Sequence, residues 1–273
     1  MVIVKIKGGL GNQLFQFALC RKLEALGREV RIDTGLFERK IETRELSELA
    51  GNFQAAPMQD VKRLCDYKTT PFAYLRRGLG LRKRTEIKER NEFMEEVFRV
   101  TDAYLDGYWQ NEDYFRDIRD DILNFVRFLD PKEDGLSAEI CSGETVSVHI
   151  RRGDYLQNEK MYGNICTEEY YKKAIERVNN IISHPVFYFF SDDIEWVKQR
   201  FQGKAYRFIE NTDQKPERDL LLMSRCRHNI IANSSYSWWG AWLNQNTKKT
   251  VIAPARWRND SCYNPACKEW IKI

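Results

Sequence analysis

The sequence predicts an α/β fold in two halves, each containing a parallel β-sheet flanked by helices. Three observations predict it. A strand, a glycine turn, a helix and a second strand follow one another at the amino terminus, and the same alternation returns after residue 145. Between the halves, Pro131 to Gly143 has the composition of a linker or short helix. We therefore predict an amino-terminal domain of residues 1–135 and a carboxy-terminal domain of residues 136–273.

The composition is that of a globular protein with a sizeable core. The chain has 273 residues, of which 42% are hydrophobic and 13% aromatic, and this excludes a disordered, collagen-like or coiled-coil protein. No apolar run approaches the roughly 18 to 20 residues that cross a bilayer, and Met1 to Ile6 is too short for a signal peptide. We expect a cytoplasmic protein.

The first half opens with a β-branched strand, Val2 to Ile6, which ends at a glycine-rich turn. Apolar residues then recur at helical spacing until Gly27, and a second strand follows at Glu29 to Ile32. Because ligands of parallel α/β sheets bind beyond the carboxyl ends of the strands, the first turn is a candidate wall of a site. From Phe37 to about Asp130 the pattern does not predict the order of helices and strands.

The second half alternates strands and helices throughout. The predicted strands are Thr145–Ile150, Val186–Phe190, His228–Ala232 and Thr250–Ala253. The predicted helices begin after Thr167, at Glu217, and at Ser234 or Ser235, and the helix that Thr167 caps has Glu168 and Glu169 in its first turn. This is the element order of a second parallel sheet.

The net charge of +4 is mild, and its excess is confined to one segment. Arg76 to Arg90 carries seven basic and two acidic residues, which fits a solvated face or contact with an anionic membrane surface or a polyanionic carrier. We expect no nucleic-acid partner, and the sequence leaves the oligomeric state open.

The cysteine and histidine content favours neither disulfides nor a metal site. The seven cysteines are scattered and odd in number, and the nearest pair, Cys262 and Cys267, has four residues between them. Reduced thiols are therefore expected. With three histidines and no Cys-x-x-Cys pair, we expect no structural zinc site.

The densest group of polar residues follows the first strand of the second half. His149, Arg151, Arg152 and Asp154 lie within six residues at the end of a β-branched run. A guanidinium can bind a phosphate in two places and keeps its charge at physiological pH. The pattern fits an anion with an attached heterocycle, and an ordinary salt-bridged strand end is the alternative.

The turn Gly8-Gly9-Leu10-Gly11-Asn12-Gln13 lies between a strand and a helix. Its glycines allow close approach of a ligand to the backbone, and a helix amino terminus favours negative charge. Leu14 occupies the last position of a Gly-x-Gly-x-x-Gly pattern, and no Lys-Ser/Thr follows, so neither a dinucleotide fingerprint nor a Walker loop is supported. A plain tight turn is the alternative.

Two further groups lie at predicted strand ends or helix starts. Ser234 and Ser235 can cap the helix that follows or donate to a phosphate, and the nearby tryptophans can form core or a carbohydrate platform. Asp192 and Asp193 close an apolar strand, where cleft carboxylates and solvated turns both occur, and Asp219 begins an apolar helix.

These segments together resemble a known family, the bacterial α-1,2-fucosyltransferases of glycosyltransferase family 11. The resemblance covers nearly the whole chain except residues 37–130, and its most specific part is His-x-Arg-Arg-Gly-Asp-Tyr together with the Ser-Trp-Trp segment. The segments that carry it are Gly8-Gly9-Leu10-Gly11-Asn12-Gln13-Leu14-Phe15-Gln16, His149-Ile150-Arg151-Arg152-Gly153-Asp154-Tyr155, Phe189-Phe190-Ser191-Asp192-Asp193 and Ala232-Asn233-Ser234-Ser235-Tyr236-Ser237-Trp238-Trp239.

The resemblance implies a GT-B fold, in which two Rossmann-like domains face each other across a cleft. It implies GDP-β-L-fucose as donor, the 2-hydroxyl of a galactoside as acceptor, inversion at the anomeric carbon, and no metal or other cofactor. The amino-terminal domain would be the acceptor side and the carboxy-terminal domain would bind the donor. Asp-x-Asp, by which many nucleotide-sugar transferases hold a divalent ion, does not occur in this sequence.

Matching the motifs residue by residue implies roles for the site. Arg151 would bind the β-phosphate, and His149 and Asp219 would contact the guanine. The donor site would also include Arg152, the acidic pair and the serine pair, whereas Asn12 and Gln13 would lie on the acceptor side. The donor-binding set is therefore His149, Arg151, Arg152, Asp192, Asp193, Asp219, Ser234 and Ser235.

Asp154 is the candidate catalytic base, and with Arg151 it forms the predicted catalytic pair. A carboxylate beside the acceptor hydroxyl would accept its proton, and the alternative is that Asp154 positions Arg151 or Arg152. Two other functions compete with the fucosyltransferase prediction: a GT-B transferase that uses another nucleotide sugar, and a non-catalytic glycan-binding protein. The sequence does not identify the acceptor glycan.

Overall fold

The computed structural model describes residues 1–35, 51–66, 71–81, 83–90, 92–126, 135–210 and 215–273, without the side chains of Ala73, Arg77, Asp154 and Leu156. The chain divides into two compact units, residues 1–125 and 126–273. None of the described helices is long and apolar enough to cross a membrane. All seven cysteines are free thiols.

The first unit contains a parallel sheet whose strand order is β2-β1-β4-β3 within the described residues. Its strands are β1 Val2–Lys5, β2 Val30–Asp33, β3 Glu86–Lys88 and β4 Ala103–Asp106. Its helices are α1 Leu10–Ala25, α2 Met58–Leu64, α3 Pro71–Gly78 and α4 Arg119–Phe125, with 3-10 turns at Glu95–Phe98, Glu112–Tyr114 and Arg116–Ile118.

The glycine turn after β1 is held by amide side chains. Gly8 has φ +77°, and a Cβ there would lie 2.6 Å from Asn12 Nδ2, so a glycine is needed. Gln16 is fully buried; its Oε1 accepts from Lys7 N at 2.9 Å and its Nε2 donates to Gly107 O at 3.1 Å. Gln16 therefore joins the end of β1 to the end of β4.

The second unit contains a parallel sheet of order β10-β9-β8-β5-β6-β7 within the described residues. Its strands are β5 Thr145–Ile150, β6 Val186–Ser191, β7 Tyr206–Phe208, β8 His228–Ile230, β9 Val251–Ala253 and β10 Ile271–Lys272. Its helices are α5 Gly135–Cys141, α6 Gly153–Gln157, α7 Glu159–Tyr162, α8 Glu168–Asn179, α9 Ile194–Arg200, α10 Pro216–Arg225 and α11 Ser235–Leu243. Counted from β5, this is the strand order of dinucleotide-binding Rossmann folds, which reverses between β5 and β8.

All six residues of β5 are buried, because helices cover both faces of the sheet. On one face Val148 and Ile150 pack in a cluster with Tyr171 and Ala174 of α8. On the other face Asn229 Nδ2 donates to Ser147 Oγ at 2.7 Å and to the Met223 carbonyl of α10 at 2.8 Å. Since side chains alternate along a strand, His149 points to the α10 side and Ile150 to the α8 side.

The structure confirms the α/β class, with a Rossmann-like parallel sheet in each of two units as the GT-B class requires. The predicted division at residue 135 is corrected to Phe125. The segment expected as a linker or short helix contains α5, which belongs to the second unit because Ser137 Oγ bonds Arg225 and Glu139 Oε1 accepts from Tyr188 Oη at 2.7 Å.

Candidate active site

The candidate site of the second unit lies at the carboxyl ends of β5, β6 and β8, where the strand order reverses. β5 and β6 are paired in parallel with Ile150 opposite Ser191. The residues that follow, Arg151 and Asp192, are therefore brought side by side.

Asp192 holds the loop after β5. Its Oδ1 accepts from Arg152 N at 2.9 Å, and its Oδ2 accepts from Gly153 N at 3.0 Å and lies 3.1 Å from Arg151 Nη1. A Cβ on Gly153 would meet Oδ2 at 2.8 Å, which explains the glycine. The ion pair with Asp192 fixes the position of the Arg151 guanidinium. Because the Arg151 side chain is 36% exposed, an anion can still reach it.

Arg152 is fixed in a different way. Its Nε donates to Asp193 Oδ2 at 3.0 Å, and its Cζ lies 3.8 Å from the centre of the Trp196 ring. Asp193 Oδ1 also accepts from Trp196 N at 3.3 Å and caps α9. Both arginines are therefore salt-bridged, as the alternative from the sequence has it, and Arg151 is the more exposed of the two, at 36% against 22% for Arg152.

His149 is a neutral imidazole beneath this loop. It is 4% exposed, and burial together with the Arg151 charge lowers the pKa of His149 to about 3. Its ring centre lies 5.3 Å from that of Tyr236, whose Oη donates to the Pro216 carbonyl at 2.5 Å. Pro216 begins α10, which carries the buried Asp219 in its first turn. Tyr236 therefore connects His149 to the start of α10.

The polar edge of His149 is unsatisfied. Its Nδ1 is buried and has no hydrogen-bond partner within the described part of the chain. Leaving a buried polar atom unpaired costs free energy, and a ligand that supplies a partner removes that cost.

Ser234 and Ser235 begin α11. Ser234 is the N-cap residue and is 7% exposed, but its side chain makes no capping hydrogen bond to the described helix, so capping does not explain its hydroxyl. Trp238 and Trp239 are fully buried, and Trp238 Nε1 donates to the Pro265 carbonyl at 2.9 Å. The tryptophans are therefore core residues, and the carbohydrate-platform alternative is wrong.

A cavity of about 230 Å³ adjoins Arg151 on the α8 side of the sheet. Ile150 and Asn233 line it at the ends of β5 and β8, and its other walls include tyrosine, tryptophan and carboxylate side chains. These wall residues are Tyr155, Tyr162, Tyr171, Trp196, Glu159 and Glu168. No local sequence pattern indicates this cavity, because the elements that surround it are far apart in the chain.

Asn233 is a buried polar residue in the wall of the cavity. It is 1% exposed, and its Nδ2 donates to the Trp257 carbonyl at 3.0 Å. Its Oδ1 is buried without a hydrogen-bond partner in the described chain. The signal available in the sequence was its position directly after an apolar strand and before the two serines.

In the first unit, the two amide side chains after β1, Asn12 and Gln13, have different hydrogen-bond partners. Asn12 Oδ1 accepts from Gln110 Nε2 at 2.6 Å, at the ends of β1 and β4. Gln13 is 1% exposed, and its Nε2 donates to Gly8 O at 2.7 Å. Gln13 therefore stabilises the glycine turn, and its place on the acceptor side stays a prediction.

Glu89 and Gln110, after β3 and β4, are two further polar residues that no sequence motif indicates. The Glu89 carboxylate accepts from Tyr108 N at 2.6 Å and from Gln110 N at 3.3 Å, and burial raises its pKa. Trp109 between them has φ +59°, a conformation that this clamp helps to hold. The signal was weak, since these residues belong to the middle segment without a matching motif.

Asp154, the predicted base, lies in α6, and its side chain is outside the described residues. Its assignment stays a prediction.

The chain is similar over its whole length to known glycosyltransferases. Residues 1–273 match the sequence profile of glycosyl transferase family 11. An α-1,2-colitosyltransferase of Escherichia coli is 33% identical over 299 residues, which cover 100% of this chain and 99% of that protein. The O-antigen biosynthesis glycosyltransferase WbnK of Escherichia coli is 31% identical over 288 residues, which cover 92% of this chain and 93% of that protein.

A mouse protein extends the comparison. The galactoside 2-alpha-L-fucosyltransferase Sec1 of Mus musculus is 25% identical, over 89% of this chain and 64% of its own length. Because the family profile spans the whole chain, and a relative of matching length is 33% identical, this chain is a glycosyltransferase that belongs to glycosyl transferase family 11.

Proposed function

We propose that this glycosyltransferase transfers L-fucose from GDP-β-L-fucose to the 2-hydroxyl of a galactoside, with inversion, and so forms an α-1,2 linkage in a surface or oligosaccharide glycan. The single observation that carries the proposal is Arg151, an accessible guanidinium that Asp192 holds at the reversal point of a Rossmann-like sheet. The names of the relatives support α-1,2 transfer.

In this proposal the second unit binds GDP. The guanine lies toward the α10 side, where the neutral imidazole of His149 offers an unpaired Nδ1 and Asp219 offers a carboxylate. The diphosphate lies on Arg151, and the hydroxyls of Ser234 and Ser235 at the start of α11 are further donors to it.

The fucosyl ring lies in the cavity beside Arg151. At about 230 Å³ it is smaller than the roughly 300 to 1,000 Å³ of pockets for drug-sized ligands, so a single ring suits it better than a nucleotide. Glu159 and Glu168 in its wall repel a phosphate but accept hydrogen bonds from hydroxyls. The unpaired Asn233 Oδ1 is a further acceptor for a sugar hydroxyl.

Catalysis rests on the departing diphosphate. Bond cleavage separates charge between a fucosyl oxocarbenium ion and GDP, and a fixed cation on the phosphate stabilises the charge that grows in the transition state. Arg151 supplies this cation, so we propose that the reaction requires no metal. Asp192 and Asp193 support this, because both carboxylates already bind arginine side chains.

Inversion in one displacement requires the acceptor hydroxyl opposite the leaving phosphate. In this proposal the hydroxyl oxygen attacks the anomeric carbon, the bond to the β-phosphate breaks, and Asp154 takes the hydroxyl proton. The first unit, with Asn12 and Gln110 at the ends of β1 and β4, binds the acceptor.

GDP-colitose is a second candidate donor, because the relative that matches 100% of this chain is named an α-1,2-colitosyltransferase. Colitose is fucose without its 3-hydroxyl. The two donors therefore differ only in the contact that the cavity makes with the 3-hydroxyl, and the rest of the proposed mechanism is the same for both.

The test is a transfer assay of the purified protein with GDP-fucose, GDP-colitose and GDP-mannose against a panel of β-galactosides, with the product linkage assigned by NMR. We expect an α-1,2-fucosyl product and little turnover of GDP-mannose. Faster turnover of GDP-colitose would favour the second donor. A protein that binds glycans but neither GDP nor a GDP-sugar would contradict the proposal.

A further inference from the structure

The most exposed large apolar side chains of the described protein are clustered in one short segment, α3 and the three residues after it. They are Phe72, Tyr74, Leu75, Leu79 and Leu81, with exposures of 66%, 63%, 60%, 64% and 60%. No other large hydrophobic side chain among the described residues exceeds the 46% of Ile181. These five residues form the α3 patch.

The α3 patch has the geometry of a surface that is buried against a partner. Phe72, Leu75 and Leu79 are spaced by three and four residues, which places them on one side of the helix. Contiguous apolar side chains on a surface are unfavourable in water, and such patches mark interaction sites.

The charge next to the patch indicates what the partner is. Residues 76–90 contain seven basic and two acidic residues, the one strong concentration of charge in the sequence. Arg84 is exposed, whereas Lys83 is anchored through Nζ to the Lys62 carbonyl at 2.5 Å. Apolar side chains beside a net positive segment match the boundary between the acyl chains and the headgroups of an anionic bilayer.

We infer that the α3 patch docks this enzyme onto an anionic lipid surface, with Phe72, Leu75 and Leu79 inserted at the headgroup boundary and the exposed Arg84 on the phosphates. α3 has eight residues, far fewer than the roughly 20 that span a bilayer, so it lies in the interface. This inference does not depend on the identity of the sugar donor.

The experiment measures sedimentation of the full-length protein with vesicles of phosphatidylcholine alone and of phosphatidylcholine with phosphatidylglycerol. We expect binding to the anionic vesicles, weakened by high salt, and at least about tenfold weaker binding to neutral ones. The variant Phe72→Ser/Leu75→Ser/Leu79→Ser should lose at least about tenfold in vesicle affinity. Its melting temperature should be unchanged, because these side chains are exposed.

The matched control replaces exposed apolar residues elsewhere. Leu26→Ser/Ile181→Ser changes side chains that are 42% and 46% exposed and should bind vesicles like the wild type. Wild-type protein that sediments with neither vesicle, or a triple variant that still binds fully, overturns the inference. So does a wild-type dimer in solution that the triple variant converts to a monomer without any vesicle binding, since the patch would then be a protein interface.

Discussion

At the scale of single residues, Arg151 has the largest role in the proposed catalysis. In the proposed mechanism, Asp192 fixes the guanidinium while it binds the leaving diphosphate. Lysine keeps the charge but loses the planar fork, so Arg151→Lys should behave almost as badly as Arg151→Ala. Each should lose more than about 100-fold in turnover, or about 2.7 kcal/mol of transition-state stabilisation.

The measurement is kcat/KM with saturating acceptor. Arg207→Lys, on the edge strand β7 and exposed, is the control and should keep its rate. An Arg151→Lys variant that turns over at nearly the wild-type rate would remove Arg151 from the proposed role.

His149 should make folding stability depend on pH. Its native pKa of about 3 lies below the ordinary value of about 6.5, so between these values the unfolded chain binds a proton that the native protein does not. The free energy of unfolding contributed by His149 is therefore fully present above about pH 6.5. It falls by about 1.4 kcal/mol for each pH unit below that value until about pH 3.

Urea unfolding between about pH 7 and pH 5 tests this, with His149→Asn compared to the wild type. In the variant the free energy of unfolding should depend less steeply on pH. Near pH 5 the difference should correspond to close to one proton bound on unfolding. His184→Asn, at an exposed histidine whose φ of +53° asparagine tolerates, is the control substitution. Equal slopes for the wild type and the His149 variant would show that His149 is not buried as a neutral group.

Asp154 is tested by separating transfer from donor hydrolysis. If it accepts the proton of the acceptor hydroxyl, Asp154→Asn should lower transfer steeply and leave GDP affinity nearly unchanged, because asparagine keeps the shape and loses the basicity. Hydrolysis of GDP-fucose without acceptor should change little. Equal losses in both reactions, or weaker GDP binding, would instead assign Asp154 to positioning Arg151 or Arg152.

At the scale of elements, the site depends on how the ends of strands meet. The loop after β5 is shaped by a carboxylate from the end of β6, and the cavity beside it is closed by the end of β8. Tyr155 of α6 joins these parts, since its Oη donates to the Asn233 carbonyl at 2.7 Å. A substitution of Asn233, after β8, should therefore weaken binding of the sugar and leave binding of the nucleotide unchanged.

Asn233→Ala tests this division between sugar and nucleotide. We expect GDP affinity to stay within about twofold and GDP-fucose affinity to fall by roughly five- to tenfold, the value of about one hydrogen bond. Calorimetric titration of GDP and GDP-fucose measures both. The control, Asn229→Ala, removes an equally buried amide whose hydrogen-bond partners are Ser147 of β5, Met223 of α10 and Asn244. It should lower stability without changing the ratio of the two affinities. An unchanged ratio in the Asn233 variant would exclude the cavity as the sugar site.

At the scale of the whole molecule, the proposed chemistry makes the enzyme independent of metal ions. Activity should survive excess EDTA, and added manganese should change it by less than a few-fold, because Arg151 neutralises the leaving diphosphate. The assay is transfer by the full-length protein with and without chelator. A reversible loss in EDTA would mean that Asp192 and Asp193 coordinate an ion.

The sequence by itself determined the elements with strong local signals. β5 was predicted at its observed bounds, because a β-branched run buried on both faces needs no knowledge of its neighbours. The start of α8 was also predicted: Thr167 Oγ1 accepts from Tyr170 N at 3.3 Å, as the cap pattern required. Motif order identified the family, since the segments that carry the resemblance lie at strand ends that local patterns reveal.

Only the tertiary structure decided which of these groups act together. β3 and β4 are three- and four-residue strands whose stability comes from pairing with distant chain, so no local period marks them. The contact of Arg151 with Asp192 follows from the register of β5 on β6, and the neutrality of His149 follows from burial. The cavity at Asn233 and the buried role of Gln13 were likewise decided by packing. Local sequence encodes which groups are present, whereas hydrogen-bond partners, solvent access and pKa depend on residues far away in the chain.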